Sequence, residues 1–502
     1  MTAEVEQQEV AERSASAEER KMLWPPLIIA VVALWILPLA TSLGLDETGV
    51  WWVVKDGLSQ VIPRANLWQQ SILHSLLVWA ARWIGGDSDV AMRMPSAVAM
   101  CGALYLLWKL GSRLINPLSA MFACLVFVTM TDVVYVASTV RPYALGLLLV
   151  NGAMLALINW LDSGRLRYAV VYVAAAALAM YSHYFFGVMF VVHAAYAINR
   201  WRSGNSLAGL GALLTAWFVA GLLILPLVPL AIGLNASRTT HVYLPTPGID
   251  ALLSSVTPTI FVGSVALSCI VWAILQRPIS IGNVWPRTSG TLLAFWALAP
   301  IAIFFIISVL TEKKVFAPRY YIASAPALAL ICGALLGAMK PARFRLLATT
   351  LIVALSVVIF DVNGATLRGA VDYRSAVHAI NEHIGAAQTP VVAVPSFYES
   401  RTVEAVLDPT LSDVLFAPFL RYRIGGKLIR VPGDLTSETE PYLEEVMKTS
   451  LASQREFFVV GLMLSERYQG WLAGRCASLG FKSRTYGNYG GVEVVLFERR
   501  DR

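Results

Sequence analysis

The sequence predicts a polytopic α-helical membrane protein that carries an α/β domain at its C-terminal end. Three observations lead there. Of 502 residues, 57% are hydrophobic and only 14% are charged, against about 25% charged in a soluble domain. Apolar runs long enough to span a bilayer, about 17–25 residues each, fill most of the first 360 positions. Beyond Phe360 the charge density becomes ordinary, and short apolar stretches alternate with polar helical ones.

Taken in order, residues 1–23 are polar and rich in Glu, Ala and Ser, and read as a disordered cytoplasmic segment. No small-residue cleavage site follows the first apolar run, so that run is expected to stay as a span rather than leave as a signal. The spans fall at 24–43, 92–115, 118–137, 143–161, 168–181, 185–199, 207–234, 249–275, 291–310, 320–339 and 346–360, about eleven in all, within a membrane domain of residues 24–361. The fifth and sixth are short, and 168–199 reads either as two short helices or as one broken one. In the domain of residues 362–502, strands are expected at 391–394, 457–460 and 491–497, and helices at 372–384, 441–450 and 468–479.

Basic residues fix the orientation. Arg113, Arg165 with Arg167, Arg200 with Arg202, the 276–287 connection and the 340–345 connection all fall on one side if the N-terminus is cytoplasmic. These clusters account for the net charge of +7, so nucleic acid is not the partner. An odd number of spans then puts the C-terminal domain outside the cytoplasm. The five cysteines are scattered without metal-ligand spacing and read as small buried hydrophobes. No Gly-rich phosphate loop and no Gly-x-Ser-x-Gly elbow occurs, which leaves ATP-driven transport and serine hydrolysis without support.

The unusual residues collect on the external face. The first external loop, 44–90, contains Trp51-Trp52 and an amphipathic stretch at 67–77 with the spacing of helices lying in the interface plane. Its acidic pair, Asp46-Glu47, is a catalytic or metal-binding acid at a membrane exit, or else Asp46 or Thr48 caps a helix starting near Val50. Arg141 and Arg319 sit at span boundaries, where a guanidinium reaches a lipid phosphate with two parallel hydrogen bonds. Lys313-Lys314 is a basic pair on the wrong side, suited to an anionic headgroup, or else a pair snorkelling to lipid. His183 occupies a tight turn between aromatic runs, and His241 lies in a further external loop. His74 and His193 read as structural, His378 and His383 as surface residues of the α/β domain.

Four passages then recur in a familiar order over residues 24–340. They are Asp46-Glu47-Thr48 after the first span and Ala91-Met92-Arg93-Met94-Pro95-Ser96-Ala97 opening the second. Val140-Arg141-Pro142-Tyr143-Ala144-Leu145 pairs with Tyr181-Ser182-His183-Tyr184-Phe185, and Ala317-Pro318-Arg319-Tyr320-Tyr321 enters a late span. In these the chain resembles the GT-C glycosyltransferases that use polyprenyl-phosphate sugars, the superfamily of protein O-mannosyltransferases and aminoarabinose transferases. It departs from them at Asn66-Leu67-Trp68-Gln69-Gln70, where many relatives have Pro-Pro-Leu-Tyr, a segment that shapes the sugar and acceptor pocket.

The resemblance implies an inner-membrane enzyme that moves a sugar from a polyprenyl phosphate to an extracytoplasmic lipid, glycan or protein. Asp46 would act as base or orient the acceptor, with Glu47 assisting. Arg141, Lys313, Lys314 and Arg319 would hold the donor phosphate. Arg93, Tyr143, His183, Tyr184, His241 and Tyr320 would line the substrates. The family differs on divalent metal dependence; Glu47, His183 and His241 are the ligands such an ion would take. The rival is a transporter or flippase for lipid-linked sugars, which needs no acidic pair and often shows two similar halves, a symmetry this sequence lacks. A ligase or polymerase of O-antigen has similar architecture, but with one very large loop between late spans in place of a C-terminal domain.

Overall fold

The computed structural model describes residues 2–229, 232, 244–282, 284, 287–362, 371–385 and 388–499. The chain opens with helix α1 (Thr2–Val31), which runs on through a π turn, Val32–Ile36, and a 3₁₀ turn, Leu37–Ala40. Residues 2–22, expected to be disordered, are therefore an extension of the first span helix. Their Glu, Ala, Gln and Lys content suits helix once a span has nucleated it.

Among the described residues, seven helices are long and apolar enough to cross a membrane, or up to nine spans when two sharply bent pairs each count as one. The expected eleven is corrected at the fifth and sixth segments. Leu166–Ser182 has 17 residues, about 26 Å at 1.5 Å per residue and short of a ~30 Å hydrocarbon core. The next segment is a 3₁₀ turn, Tyr184–Val188, followed by a 14-residue helix, Met189–Arg202. The bent pairs are Pro117–Thr129 with Thr131–Ala137, at 73°, and Ile249–Val256 with Thr259–Ile274, at 68°. Extended backbone at Met130 breaks the first, and Thr257-Pro258 breaks the second.

Three short helices fill the loop after the first span: α2 (Leu45–Val54), α3 (Leu58–Leu67) and α4 (Ile72–Gly85). Helix α2 starts five residues earlier than the expected Val50, with Gly44 at the N-cap in place of Asp46 or Thr48. The acidic pair thus occupies the first turn, where its charge meets the positive end of the helix. Helix α5 (Asp89–Leu114) follows as the next full span.

Two dipeptide strands, β1 (Ser280–Ile281) and β2 (Met339–Lys340), pair antiparallel between two connections. The C-terminal domain is a five-stranded sheet in the order β4-β3-β5-β7-β6. Strand β3 (Pro390–Val394) lies parallel to β4 (Lys427–Arg430) and β5 (Glu456–Leu462); β7 (Val492–Arg499) and β6 (Phe481–Tyr489) add antiparallel. Alternate residues divide between two cores. Val391, Ala393, Phe458 and Val460 meet Tyr373, Ile380 and Phe419 on one face. Val392, Val394, Phe457 and Val459 meet Leu443, Met447 and Leu472 on the other. The central strands were legible as apolar runs buried on both faces. The edge strands β4 and β6 were not, because one side of an edge strand is polar.

This domain is fastened to the loop of residues 44–90 around the Asp89 carboxylate and several neighbouring contacts. Asp89, 5% exposed, accepts from Arg374, from Arg421 Nη2 at 2.7 Å and from Tyr422 Oη at 2.7 Å. The same Tyr422 hydroxyl accepts the Leu43 N–H at 2.7 Å, one residue before the α2 cap. Arg421 also pairs with Asp87 at 2.8 Å, and the Trp68 and Phe397 rings meet edge-on at 5.3 Å. Removing one member of a buried charge cluster strands the others at a cost of about 3–5 kcal/mol. Asp89→Ala should therefore speed proteolytic release of the C-terminal domain several-fold, while Tyr422→Phe, which removes one hydroxyl, has a smaller effect. Equal digestion of all three proteins would mean that the domain is held elsewhere.

Candidate active site

The site is built outward from one buried ion pair. Glu47, at the third position of α2, reaches back to the Gly44 N–H at 2.7 Å, half of a capping box. Its two oxygens also take Arg93 Nε at 2.8 Å and Nη2 at 2.6 Å, and the Val140 N–H at 2.8 Å. The rest of the Arg93 fork is filled by carbonyls leaving the first span: Leu39 at 3.1 Å, Thr41 at 2.6 Å and Ser42 at 2.8 Å. One pair thus ties the end of the first span, α2, α5 and the turn before the Tyr143–Ser163 helix.

Two expectations are corrected by this geometry. Glu47 has no lone pair left for a proton or a metal, and Arg93, 1% exposed, faces protein rather than substrate. Neighbouring helical side chains diverge by ~100°, so with Glu47 turned inward Asp46 turns outward. Their side chains are 5% and 49% exposed, respectively.

Asp46 faces Arg141 at 3.5 Å. Arg141 lies in the turn between Thr131–Ala137 and Tyr143–Ser163, with its guanidinium 5.8 Å from the Tyr143 ring centre. Arg319, in the single turn Pro318–Tyr321, stacks on Tyr320 at 5.0 Å and reaches the Tyr320 hydroxyl at 3.4 Å. The Nε atoms of both arginines are buried and have no hydrogen-bond partner among the described residues. The two guanidiniums feel each other's charge, and Tyr143 feels both.

An aromatic wall backs the cations. The His183 ring packs 5.0 Å from Tyr143, 4.7 Å from Tyr184 and 5.9 Å from Tyr320. Burial, with Arg141 and Arg319 adding repulsion, pushes its pKa down to about 3, so the imidazole is neutral. Its Nδ1 accepts the Phe185 N–H at 3.4 Å. His74 belongs to the same neighbourhood: burial and then Arg141 push it down to about 3, and its Nε2 has no partner among the described residues. Tyr135 interacts electrostatically with Arg141, Asp46, Glu47 and Arg319. Sequence reasoning set His74 aside as structural and left Tyr135 out of the site. The signal in hand was Tyr135's position less than two helical turns before Arg141.

Other expected members do not join. Lys314 Nζ donates to the Ser308 carbonyl at 2.9 Å and the Thr311 carbonyl at 3.1 Å, capping the end of the Arg287–Leu310 helix. Lys313 is exposed on the same loop. His241, together with Arg238 and Tyr243, lies outside the described residues. Among the described residues, no three His, Cys, Asp or Glu side chains come together as metal ligands.

The structure thus brings together an outward carboxylate, two undersatisfied guanidiniums and an aromatic wall. The fold is of the GT-C type. Residues 69–232 match the sequence profile of the dolichyl-phosphate-mannose-protein mannosyltransferase family, a stretch containing Arg93, Arg141, Tyr143, His183 and Tyr184 but neither Asp46 nor Arg319. Among solved structures, apo ArnT from Cupriavidus metallidurans is 13% identical, with 94% of this chain and 97% of that chain covered at a TM-score of 0.53. The same protein bound to undecaprenyl phosphate matches at 13% identity, 95% and 98% coverage and a TM-score of 0.54. The apo oligosaccharyltransferase of Archaeoglobus fulgidus gives 11%, 92%, 71% and 0.48. No curated protein matches the sequence. The profile covers a third of the chain, and the structural matches show a fold of the same type as ArnT.

Glu47→Gln leaves the Arg93 charge buried without its partner, so the thermal midpoint in detergent should fall by the equivalent of about 3–5 kcal/mol. Asp46→Asn, at an exposed position, should stay within about 0.5 kcal/mol of wild type. Equal losses would refute the division into outward acid and inward brace. The two histidines of the site, both depressed, add a pH dependence. The unfolded chain takes their protons near the ordinary histidine value of 6.5 and the folded chain only near 3. Their contribution to stability is thus complete above about pH 6.5 and declines as the pH falls toward 3. The thermal midpoint should drop between pH 7 and 5, less steeply in His183→Phe; identical slopes would deny the histidine its share.

Proposed function

We propose that the chain transfers a sugar from a polyprenyl-phosphate donor to a hydroxyl of an extracytoplasmic acceptor, with Asp46 taking or orienting the acceptor proton. The observation carrying this reading is the Asp46–Arg141 pair beside Arg319, with an unpartnered Nε on each arginine. The acceptor oxygen attacks the anomeric carbon, and the bond from that carbon to the phosphate oxygen breaks. The bonding pair leaves with the lipid phosphate, and the proton passes to an Asp46 oxygen. Arg141 and Arg319 meet the charge that develops on the phosphate, in a setting where burial makes each hydrogen bond stronger than in water. Tyr143, His183, Tyr184 and Tyr320 exclude water and offer apolar ring faces; neutral His183 adds no competing charge. Glu47 and Arg93 position Asp46 and do not touch substrate.

The ArnT structure with undecaprenyl phosphate supports a polyprenyl phosphate as the lipid. The basic 113, 165–167, 200–202 and 340–345 connections support an N-terminus in the cytoplasm of a cell with an inner membrane, and residues 362–502 outside it. Lys313, exposed on the loop after Leu310, suits anionic lipid headgroups. A flippase would use the same cations but has no work for a proton acceptor, which places the transporter reading second.

The test is purified protein in nanodiscs, a panel of radiolabelled polyprenyl-phosphate sugars and an envelope extract as acceptor. Asp46→Asn should lower transfer about 10²–10⁴-fold with donor binding retained, and Arg141→Lys or Arg319→Lys about 10²–10³-fold. Lipid binding without transfer by wild type from any donor would favour the transporter.

A further inference from the structure

Beside the cationic cluster lies a cavity of about 270 Å³ that the mechanism above does not use. Both span breaks open onto it. Thr129, Thr131 and Asp132 come from the first, and Ser254, Ser255, Thr257 and Thr259 from the second. Non-helical backbone at such depth is tolerated where it lines a polar space. Phe261 and Tyr321 supply aromatic walls, and among the described residues the lining holds no Lys, Arg or His. A phosphate therefore meets no cation among these residues.

Four of the lining hydroxyls present acceptors. Thr129, Ser254, Ser255 and Thr257 each donate their hydroxyl proton to a carbonyl of their own helix, namely those of Val126, Ala251, Leu252 and Leu253 at 2.7–2.9 Å. Their oxygens are left with lone pairs only. Asp132 has no hydrogen-bond or ion-pair partner among the described residues. A fitting occupant brings several donors and an apolar face, which describes a sugar ring. The volume lies just under the ~300–1,000 Å³ of drug-sized sites, and suits one ring rather than a polyprenyl tail.

Position adds the last step. Pro318 and Tyr321, both in the cavity wall, flank Arg319 in one helical turn. Asp132 precedes by one turn Tyr135, which senses Asp46, Arg141 and Arg319. A sugar bonded to a phosphate held at Arg319 must lie next to that phosphate. We propose that this cavity is the subsite for the donor's sugar ring, with Asp132 accepting hydrogen bonds from its hydroxyls; this rests on the glycosyltransferase reading above.

The test compares, for the full chain in nanodiscs, the affinity for bare undecaprenyl phosphate with that for undecaprenyl-phosphate hexoses, pentoses and aminopentoses. Wild type should bind at least one glycosylated lipid tenfold or more tighter than the bare lipid. Asp132→Asn should lose that preference while binding bare lipid within twofold of wild type. Ser254→Leu, which fills the cavity from the opposite wall, should do the same and guards against a local fault at Asp132. A preference retained in both variants overturns the proposal, as does a wild type that does not favour any glycosylated lipid. An Asp132→Asn protein with the donor preference intact but a raised KM for acceptor would give the cavity to the acceptor and also overturn it. Failure of wild type to bind even the bare lipid is a separate result, and it removes the polyprenyl-phosphate reading itself.

Discussion

The structure depends most on the Glu47–Arg93 pair. A carboxylate and a guanidinium taken out of water are costly unless every donor and acceptor is matched, and here the match extends to the backbone of three separate segments. The chain leaving its first span could otherwise exit at many angles. With Glu47 drawn inward it exits at one, and the neighbouring Asp46 is presented to solvent against Arg141. A fully matched buried charge pair thus sets the direction in which Asp46 points.

The same logic extends to the C-terminal domain. Asp89 and Arg93 are one turn apart on α5; one gathers Arg374, Arg421 and Tyr422 from the domain, and the other gathers the loop. Tyr422 completes the circuit by receiving the Leu43 N–H just ahead of α2. Movement of the domain would therefore be felt at the start of the helix that carries Asp46. The span breaks perform a complementary task on the far wall, where two bends of 73° and 68° turn helix ends into a hydroxyl-lined recess.

Much of the architecture was legible. Apolar runs marked the spans because a bilayer demands length and hydrophobicity from each span individually. Only the 168–199 stretch was overcounted, its helices falling short of the required length. The doubly buried strands β3 and β5 were visible for a similar reason, whereas edge strands β4 and β6 carry too few apolar residues to stand out. Within the site, Asp46, Arg141, Tyr143, His183 and Arg319 were picked out by type and place. The same reasoning promoted Glu47, Arg93 and Lys314, since a charged residue at a span boundary looks alike whether it meets a ligand or a backbone carbonyl.

By itself the sequence determined the membrane class, the approximate span order, the change of composition near residue 360 and the segments that could supply a site. Those properties are local, written in hydropathy, charge and short motifs. Tertiary structure alone decided which carboxylate of Asp46-Glu47 faces out, that Lys314 caps a helix while Arg141 and Arg319 converge, and that Asp132 lines a cavity. Each of these depends on contacts between residues tens to hundreds of positions apart, and a one-dimensional pattern holds no record of which buried donors have already found their acceptors.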